Sequence, residues 1–324
     1  MRVRRIVTAV VTAAVLGTVY VSGVVAQEGG GRGRGTHILG KAPTDHAVPL
    51  PKSTLQQYLK DMDAAKEETL RILEGGQFNV NIRRIKEPEA APLIHPKTID
   101  VWYVIEGNGA VTTGGTFANG KVTGGVTDQL HPGDVIFIPA NLPHWLSETG
   151  ASGITWLNVR WDVDWNGPMG AGNPPVPGLP GSAAVGQYAP PDKAVFLPKA
   201  KLEAYIAEQN SRDSTSQTMR MIEGGHFNVN IRNITAPSIE FHPTTIDTWV
   251  VLQGAGTAGT GFSTDKGDAH TEATGRDAKR VENTGVETPM AVGDVMFVPS
   301  NFTHGFNKVD GRMVWLNIRW DSNY

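Results

Sequence analysis

Residues 95–109 read HPKTIDVWYVIEGNG and residues 242–256 read HPTTIDTWVVLQGAG. In each stretch a His is followed after four residues by an Asp and after six more by a Gly, and the residues between are β-branched and aromatic, the composition of a strand. Working outward, every flanking block also returns. LPKSTLQQYL at 50–59 recurs as LPKAKLEAYI at 197–206, and EGGQFNVNIR at 74–83 as EGGHFNVNIR at 223–232. GDVIFIPANLPH at 133–144 recurs as GDVMFVPSNFTH at 293–304, and WLNVRWD at 156–162 as WLNIRWD at 315–321. The order is the same in both halves, which marks a tandem duplication of one domain.

Each copy opens with Leu and Tyr at helical spacing: Leu55, Tyr58 and Leu59, then Leu202, Tyr205 and Ile206. Pro51 and Pro198 stand where a helix start tolerates them. Downstream the pattern changes to short period-2 runs separated by Gly, Pro and Asn. One short helix followed by many short strands predicts an all-β jelly-roll barrel, twice. The expected division is a leader at 1–26, a flexible segment at 27–49, one domain at 50–165, a Pro/Gly-rich linker at 166–192 and a second domain at 193–324.

The chain has 324 residues, 40% hydrophobic and 19% charged, and no Cys. Thiolate metal sites and disulfides are therefore excluded. Residues 1–26 have a basic start, an apolar Val/Ala run and a small-residue end at Val24, Val25 and Ala26, the layout of a secretory signal peptide. The expected location is secreted or periplasmic, with membrane attachment only if the segment stays uncleaved, as its apolar length also suits a span. Loss of Arg2, Arg4 and Arg5 with the leader takes the formal net charge from −3 to −6, so nucleic acid is not an expected partner.

The two motif blocks resemble those of the cupin superfamily: His-x-His, three or four residues, Glu, six residues, Gly, and then Gly, five residues, Pro, x, Gly, two residues, His. The resemblance covers roughly residues 50–162 and 197–321 and implies a bicupin, two tandem cupin jelly rolls each holding one divalent transition metal. Carried over residue by residue, it implies the ligands His95, Asp100 and His144 in the first half, and His242, Asp247 and His304 in the second. Asp replaces the family's Glu in both, and the first His of the motif is Leu93 in one half and Glu240 in the other. Residues two apart on a strand face one side, so Leu93 should point inward beside His95 and Glu240 beside His242. The first site is then two imidazoles and one carboxylate with open positions, and the second gains Glu240 as a fourth ligand. Fe, Mn, Cu, Zn and Ni all suit these donors.

Trp102 and Trp249 follow the Asp by two residues, where an indole either stacks on a planar substrate or fills the core. Asn79, Asn81, Arg83 and Arg160, with Asn228, Asn230, Arg232 and Arg319, either bind a substrate carboxylate at the barrel mouth or form a buried network. Asn141 and Asn301 take the family's second-block Gly position and should adopt a left-handed turn. His131 and His226 fall outside the ligand spacing. Gly254 and Gly293 are 39 residues apart, against 26 for Gly107 and Gly133, so the second half carries a polar insertion suited to a lid or an interface. The expected activity is an oxidoreductase of dioxygenase or oxidase type acting on a small oxygenated substrate. The alternatives are a metal-dependent isomerase or lyase with Glu240 as base, and a non-catalytic small-molecule-binding cupin. The two barrels can pack on each other as a monomer or pair further into homo-oligomers.

Overall fold

The structure is a computed structural model that describes residues 36–118, 121–163, 184–265 and 280–322. The leader, most of the linker and most of the second-half insertion lie outside these residues. Among the described residues, no helix is long and apolar enough to cross a membrane.

The first half runs β1 (Thr36–Ile38), β2 (Val48–Leu50), α1 (Lys52–Ala65), β3 (Thr69–Glu74), β4 (Phe78–Ile85), β5 (Thr98–Thr113), β6 (Thr116–Ala118), β7 (Lys121–Thr123), β8 (Val126–Leu130), β9 (Val135–Ile138) and β10 (His144–Asp162). The second repeats this plan as β11 (Ala184–Val185), β12 (Val195–Leu197), α2 (Lys199–Asn210), β13 (Ser216–Glu223), β14 (Phe227–Ile234), β15 (Ser238–Glu240), β16 (Thr245–Thr260), β17 (Val286–Ala291), β18 (Val295–Val298) and β19 (His304–Asp321). Each half closes as a jelly-roll barrel around its long strands, in the order β3-β4-β10-β5-β9 and β13-β14-β19-β16-β18. The helices form as their spacing predicts: α1 buries Leu55, Leu59 and Met62, and α2 buries Leu202, Ile206 and Gln209.

The long strands are covered on both faces, and the period of two assigns each face a separate task. Phe78, Val80 and Ile82 of β4, Ile99 and Val101 of β5, and Leu157, Val159 and Trp161 of β10 pack with Phe227, Val229, Leu316, Ile318 and Trp320 into one core shared by the halves. The alternate residues turn into the barrels. There Trp102, Val104 and Trp156 line one interior, and Trp249, Val251 and Trp315 the other. Trp161 and Trp320 occupy the same place in the repeat and stack on each other, with centroids 5.5 Å apart and planes within 6°. The halves therefore meet as the two subunits of an isologous dimer would, within one chain.

The pairing is reciprocal, and it redraws the expected boundaries. Strand β2, from the segment expected to be flexible, pairs with β18 of the second barrel (Val295 opposite Leu50). Strand β12 pairs with β9 of the first (Leu197 opposite Val135). Residues 36–38 also join a sheet, parallel to β3, and residues 184–185 of the expected linker pair with β13. Each helix start is capped across the same junction. The Lys52 N–H donates to Asp294 Oδ1 at 2.7 Å, and the Lys199 N–H donates to Asp134 Oδ1 at 2.7 Å. Neither helix has a side-chain cap of its own, because Pro51 and Pro198 hold the cap positions. Gly293 and Gly133, at φ +91° and +94°, let the chain turn against the two lysines, where an added Cβ would come within 2.9 Å of the side chain.

Loss of a helix cap costs about 0.5–2 kcal/mol. Asp134→Ala and Asp294→Ala should each lower the stability of the whole molecule by about that much in urea denaturation. Because the caps serve different helices, the double variant should show the sum.

Candidate metal centres

Strand β5 carries Asp100 inward, and β10, directly opposite it, begins at His144 and ends near Arg160. The register sets Arg160 across from Asp100 and Asn158 across from Trp102. His95 enters from the loop before β5, and its carbonyl accepts from the Asn141 N–H at 2.7 Å. Asn141 and Asn301 adopt φ +64° and +57°, the left-handed turns that return the chain toward His144 and His304.

One donor atom from each of His95, Asp100 and His144 lies within 4.8 Å of the others. The same holds for Glu240, His242 and His304. The two His pairs superpose in geometry, with ring centroids 5.2 Å apart at 53° in both barrels. His144 Nδ1 lies 2.9 Å from the Leu142 carbonyl and His304 Nδ1 lies 2.7 Å from that of Phe302. A carbonyl only accepts, so Nδ1 carries the proton and Nε2 presents its lone pair inward.

Asp100 is 1% exposed. Its Oδ1 accepts from Asn158 Nδ2 at 3.0 Å and lies 2.9 Å from Arg160 Nε, while its Oδ2 is buried with no hydrogen-bond partner. A buried carboxylate oxygen is costly to leave unmatched, and a cation between Asp100 Oδ2 and the two imidazoles supplies the match. The donor set of two neutral nitrogens and one hard oxygen suits a first-row divalent ion.

Burial alone would raise the Asp100 pKa, but the Arg160 guanidinium and the two imidazoles outweigh it and hold the carboxyl below its ordinary value. Burial pushes His95 down to about 4, against partial opposition from Asp100. Burial also lowers His144 and His242. Glu240 is held well below the usual range because Arg232 and His242 overcome the cost of burying it. All these shifts favour the ligating forms, neutral imidazole and ionised carboxylate.

The halves differ where the sequence says they should. Leu93 bridges to His144 in the same way that Glu240 pairs with His304, so both stand at one structural position facing the site. Glu240 Oε2 is 3.4 Å from His242 Nε2 and 4.0 Å from His304 Nε2, and its other oxygen is ion-paired with Arg232. In the first half the equivalent Arg83 is paired with Glu89 at 2.9 Å, and Glu89 also accepts from the Leu146 N–H at 2.8 Å. Glu89 thus takes over the arginine-neutralising task of Glu240 without entering the ligand group. Sequence reading passed over it, because it lies in a stretch two residues longer than its counterpart.

Two expectations need correction. Asp247 stands outside the second ligand group. Its Oδ1 is 3.0 Å from Arg319 Nε, and its Oδ2, 3.7 Å from His304 Nε2, is buried with no hydrogen-bond partner; the group whose donor atoms all lie within 4.8 Å of one another takes its carboxylate from Glu240. Trp102 and Trp249 offer no stacking surface to a substrate. They are 1% and 0% exposed, with Trp102 packed on Trp156 at 4.6 Å and Trp249 on Phe306 and Trp315 at 5.6 Å. Each meets the ligand His edge-on, at 5.9 and 5.5 Å, and braces it. The Asn rows are buried rather than at the barrel mouth: Asn81, Asn158, Asn230 and Asn317 are all 3% exposed or less, with Asn81 donating to Asn79, Asn158 to Asp100 and Asn230 to Asn228. His131 and His226 lie outside both groups.

Residues 85–160 match the family model described as a cupin domain. No curated protein matches the chain in sequence. Among solved structures, it is similar to a salicylate 1,2-dioxygenase from Pseudaminobacter salicylatoxidans, at 14% identity over 86% of this chain and 85% of that one, with a TM-score of 0.52. The adduct of that enzyme with gentisate gives 14% identity, 85% and 81% coverage and a TM-score of 0.52. An oxalate decarboxylase from Bacillus subtilis with Mn(II) centres gives 17% identity, 76% and 70% coverage and a TM-score of 0.41. At 14% identity and a TM-score of 0.52, the likeness to the dioxygenase structures establishes a shared fold.

Because His95 is near 4 in the folded state and about 6.5 when free, the unfolded chain binds the extra proton between those values. Its contribution to stability is complete above about pH 6.5 and is lost as the pH falls toward 4. Asp100 and Glu240, held low, extend the loss below their free values. Metal-free protein should therefore lose up to about 3 kcal/mol to His95 alone over this range, measured as urea midpoints in chelator, and His95→Asn should flatten that part of the profile.

Proposed function

We propose that this chain, whose two barrels are of the cupin superfamily, is an exported metal-dependent oxidoreductase of dioxygenase or oxidase type acting on a small oxygenated substrate. What supports the reading most is the first-barrel group. A two-histidine, one-carboxylate set lies inside a barrel lined by Trp102, Val104 and Trp156, and Leu93 leaves one side of it without a fourth protein ligand. Export is read from residues 1–26, which lie outside the described residues.

His95, Asp100 and His144 would hold the metal of the first barrel, and Glu240, His242 and His304 that of the second, with Asp247 beside it. When bound, a redox-active divalent metal supplies Lewis acidity, residual positive charge and one-electron chemistry toward dioxygen. The chain supplies the order around it. Arg160 and Asn158 fix Asp100 through one oxygen so that the other faces inward. The Leu142 carbonyl fixes the tautomer and plane of His144, and the Trp102–Trp156 pair keeps water from the back of the ring. The second barrel differs in placing Glu240 beside both imidazoles, where the first has Leu93.

A second reading, a metal-dependent lyase or isomerase, draws on Glu240, which is held as the carboxylate and so is already in the form a base needs. Oxygen consumption separates the two: uptake that depends on an added aromatic or aliphatic hydroxy acid supports the oxidoreductase, and turnover without uptake supports the lyase.

Metal content per chain tests the ligands. His144→Ala should remove the first-barrel metal and His304→Ala the second, while His226→Ala keeps both. Arg160→Ala should weaken first-barrel metal affinity by about 10–100-fold, the usual effect of releasing a ligand's supporting contact. Equal loss in the His226 and His304 variants would overturn the assignment.

A further inference from the structure

Away from both metal centres, a cavity of about 340 Å³ opens at the junction of the two halves. Phe137, Trp161 and Ile99 of the first half and Phe227, Trp320 and Pro190 of the second form its walls. Asp162, Asp321 and His226 supply its polar edge, and the lining contains no Lys or Arg. No metal-ligand candidate lines it.

The duplication provides an internal control. The repeat carries three apolar lining residues, Ala140, Val163 and Pro191, onto Ser300, Ser322 and Thr44 at the pseudo-equivalent place. There, Ser322 Oγ lies 2.9 Å from both Ser300 Oγ and the Thr244 carbonyl, and the two serines are 1% and 7% exposed. A hydroxyl pair thus fills the junction on that side. On the cavity side Val163 is 38% exposed and Ala140 makes no such bridge. The architecture by itself does not require an apolar lining, since its other copy places a buried, hydrogen-bonded hydroxyl pair there.

We infer that this junction cavity is a binding site for a compact apolar molecule of about two rings, neutral or positively charged. An apolar cavity of about 150 Å³ accepts one benzene, so roughly twice that volume suits two rings. The walls give the ligand aromatic and aliphatic contact, and the Asp162 and Asp321 carboxylates repel an anion while accepting from an N–H or O–H donor. Asp321 Oδ2 is 3.5 Å from His226 Nδ1 and Asp162 Oδ1 accepts from the Thr98 hydroxyl at 2.8 Å, so both carboxylates are fixed in place. This preference is opposite to that of the metal centres, whose residual positive charge favours anionic oxygen.

The probe for the test is N-phenyl-1-naphthylamine, a neutral arylamine that fluoresces in apolar surroundings, titrated into the full chain. One saturable site per chain is expected, with energy transfer from tryptophan. Chelator and the His144→Ala/His304→Ala double variant should leave its affinity within two-fold, so failure of the metal assignment would not be mistaken for failure here. A hundred-fold excess of benzoate should not displace it. Ala140→Ser/Val163→Ser, which copies the closed junction, should weaken binding at least ten-fold without lowering the Tm of the free protein. Should that variant misfold, Ala140→Leu, which fills the space with hydrocarbon, should give the same loss. Absence of saturable binding, displacement by benzoate, or affinity unchanged in the Ala140 variants would overturn the inference.

Discussion

Every part of this molecule depends on the alternation of side chains along its long strands. Consecutive residues of β4, β5, β10 and their copies face opposite ways, and along the stretches that cross the interior, such as 99–102 and 153–159, both faces are buried. The outer face, with Val80, Val101, Val159, Val229, Leu316 and Ile318, is the core between the barrels. The inner face, with Asp100, Asn158 and Arg160 or Asp247, Asn317 and Arg319, is the site. A one-residue slip in register would bury the carboxylate in the inter-barrel core and turn the valines toward the candidate metal site. Fold stability and site geometry are thus one constraint, enforced by apolar packing on the far side of the same backbone.

That arrangement explains how charged residues survive in the interior. Asp100 is buried, yet from the neighbouring strand Asn158 donates to one of its oxygens and Arg160 ion-pairs with the same oxygen. The other oxygen is directed at the imidazoles. A guanidinium matched to one oxygen also resists protonation of the carboxyl, keeping the donor anionic. The cost of burying the ion pair is carried by the two barrels jointly, since strands β2 and β12 and the Asp294 and Asp134 caps tie each half to the other.

Much of this was legible in the sequence, for identifiable reasons. The repeat exposed the duplication, and the spacing from His95 to Asp100 and the Gly/Pro frame before His144 pointed to residues that the fold brings together. Parity along a strand placed Leu93 and Glu240 at one inward position without any coordinates. Less legible was what depends on partners far along the chain. The exchange of β2 and β12 left a trace, because APTDHAVPLPK at 42–52 matches APPDKAVFLPK at 189–199. A three-residue strand, however, carries no record of which edge it joins. That Glu240 rather than Asp247 falls within 4.8 Å of both imidazoles depends on distances across the barrel, which no spacing rule supplies. The expectation for Trp102 and Trp249 identified the correct face but not the depth: the same parity serves a stacking platform and a buried brace.

Duplication also accounts for the asymmetry. Two copies of one barrel start with identical sites and an exactly two-fold junction, and each can then change while the other maintains the fold. The ligand shell diverged at one structural position, Leu93 against Glu240. In the copy without that carboxylate, Arg83 is paired with Glu89 instead. The junction diverged at Ala140 against Ser300 and Val163 against Ser322, where an apolar opening faces a closed hydroxyl pair. These substitutions leave the shared core and both strand exchanges intact. A homodimer of single barrels could not vary in this way, because a substitution in one subunit would appear in both. Covalent linkage of the two barrels is therefore what permits one chain to hold two differently lined candidate metal sites around a common scaffold.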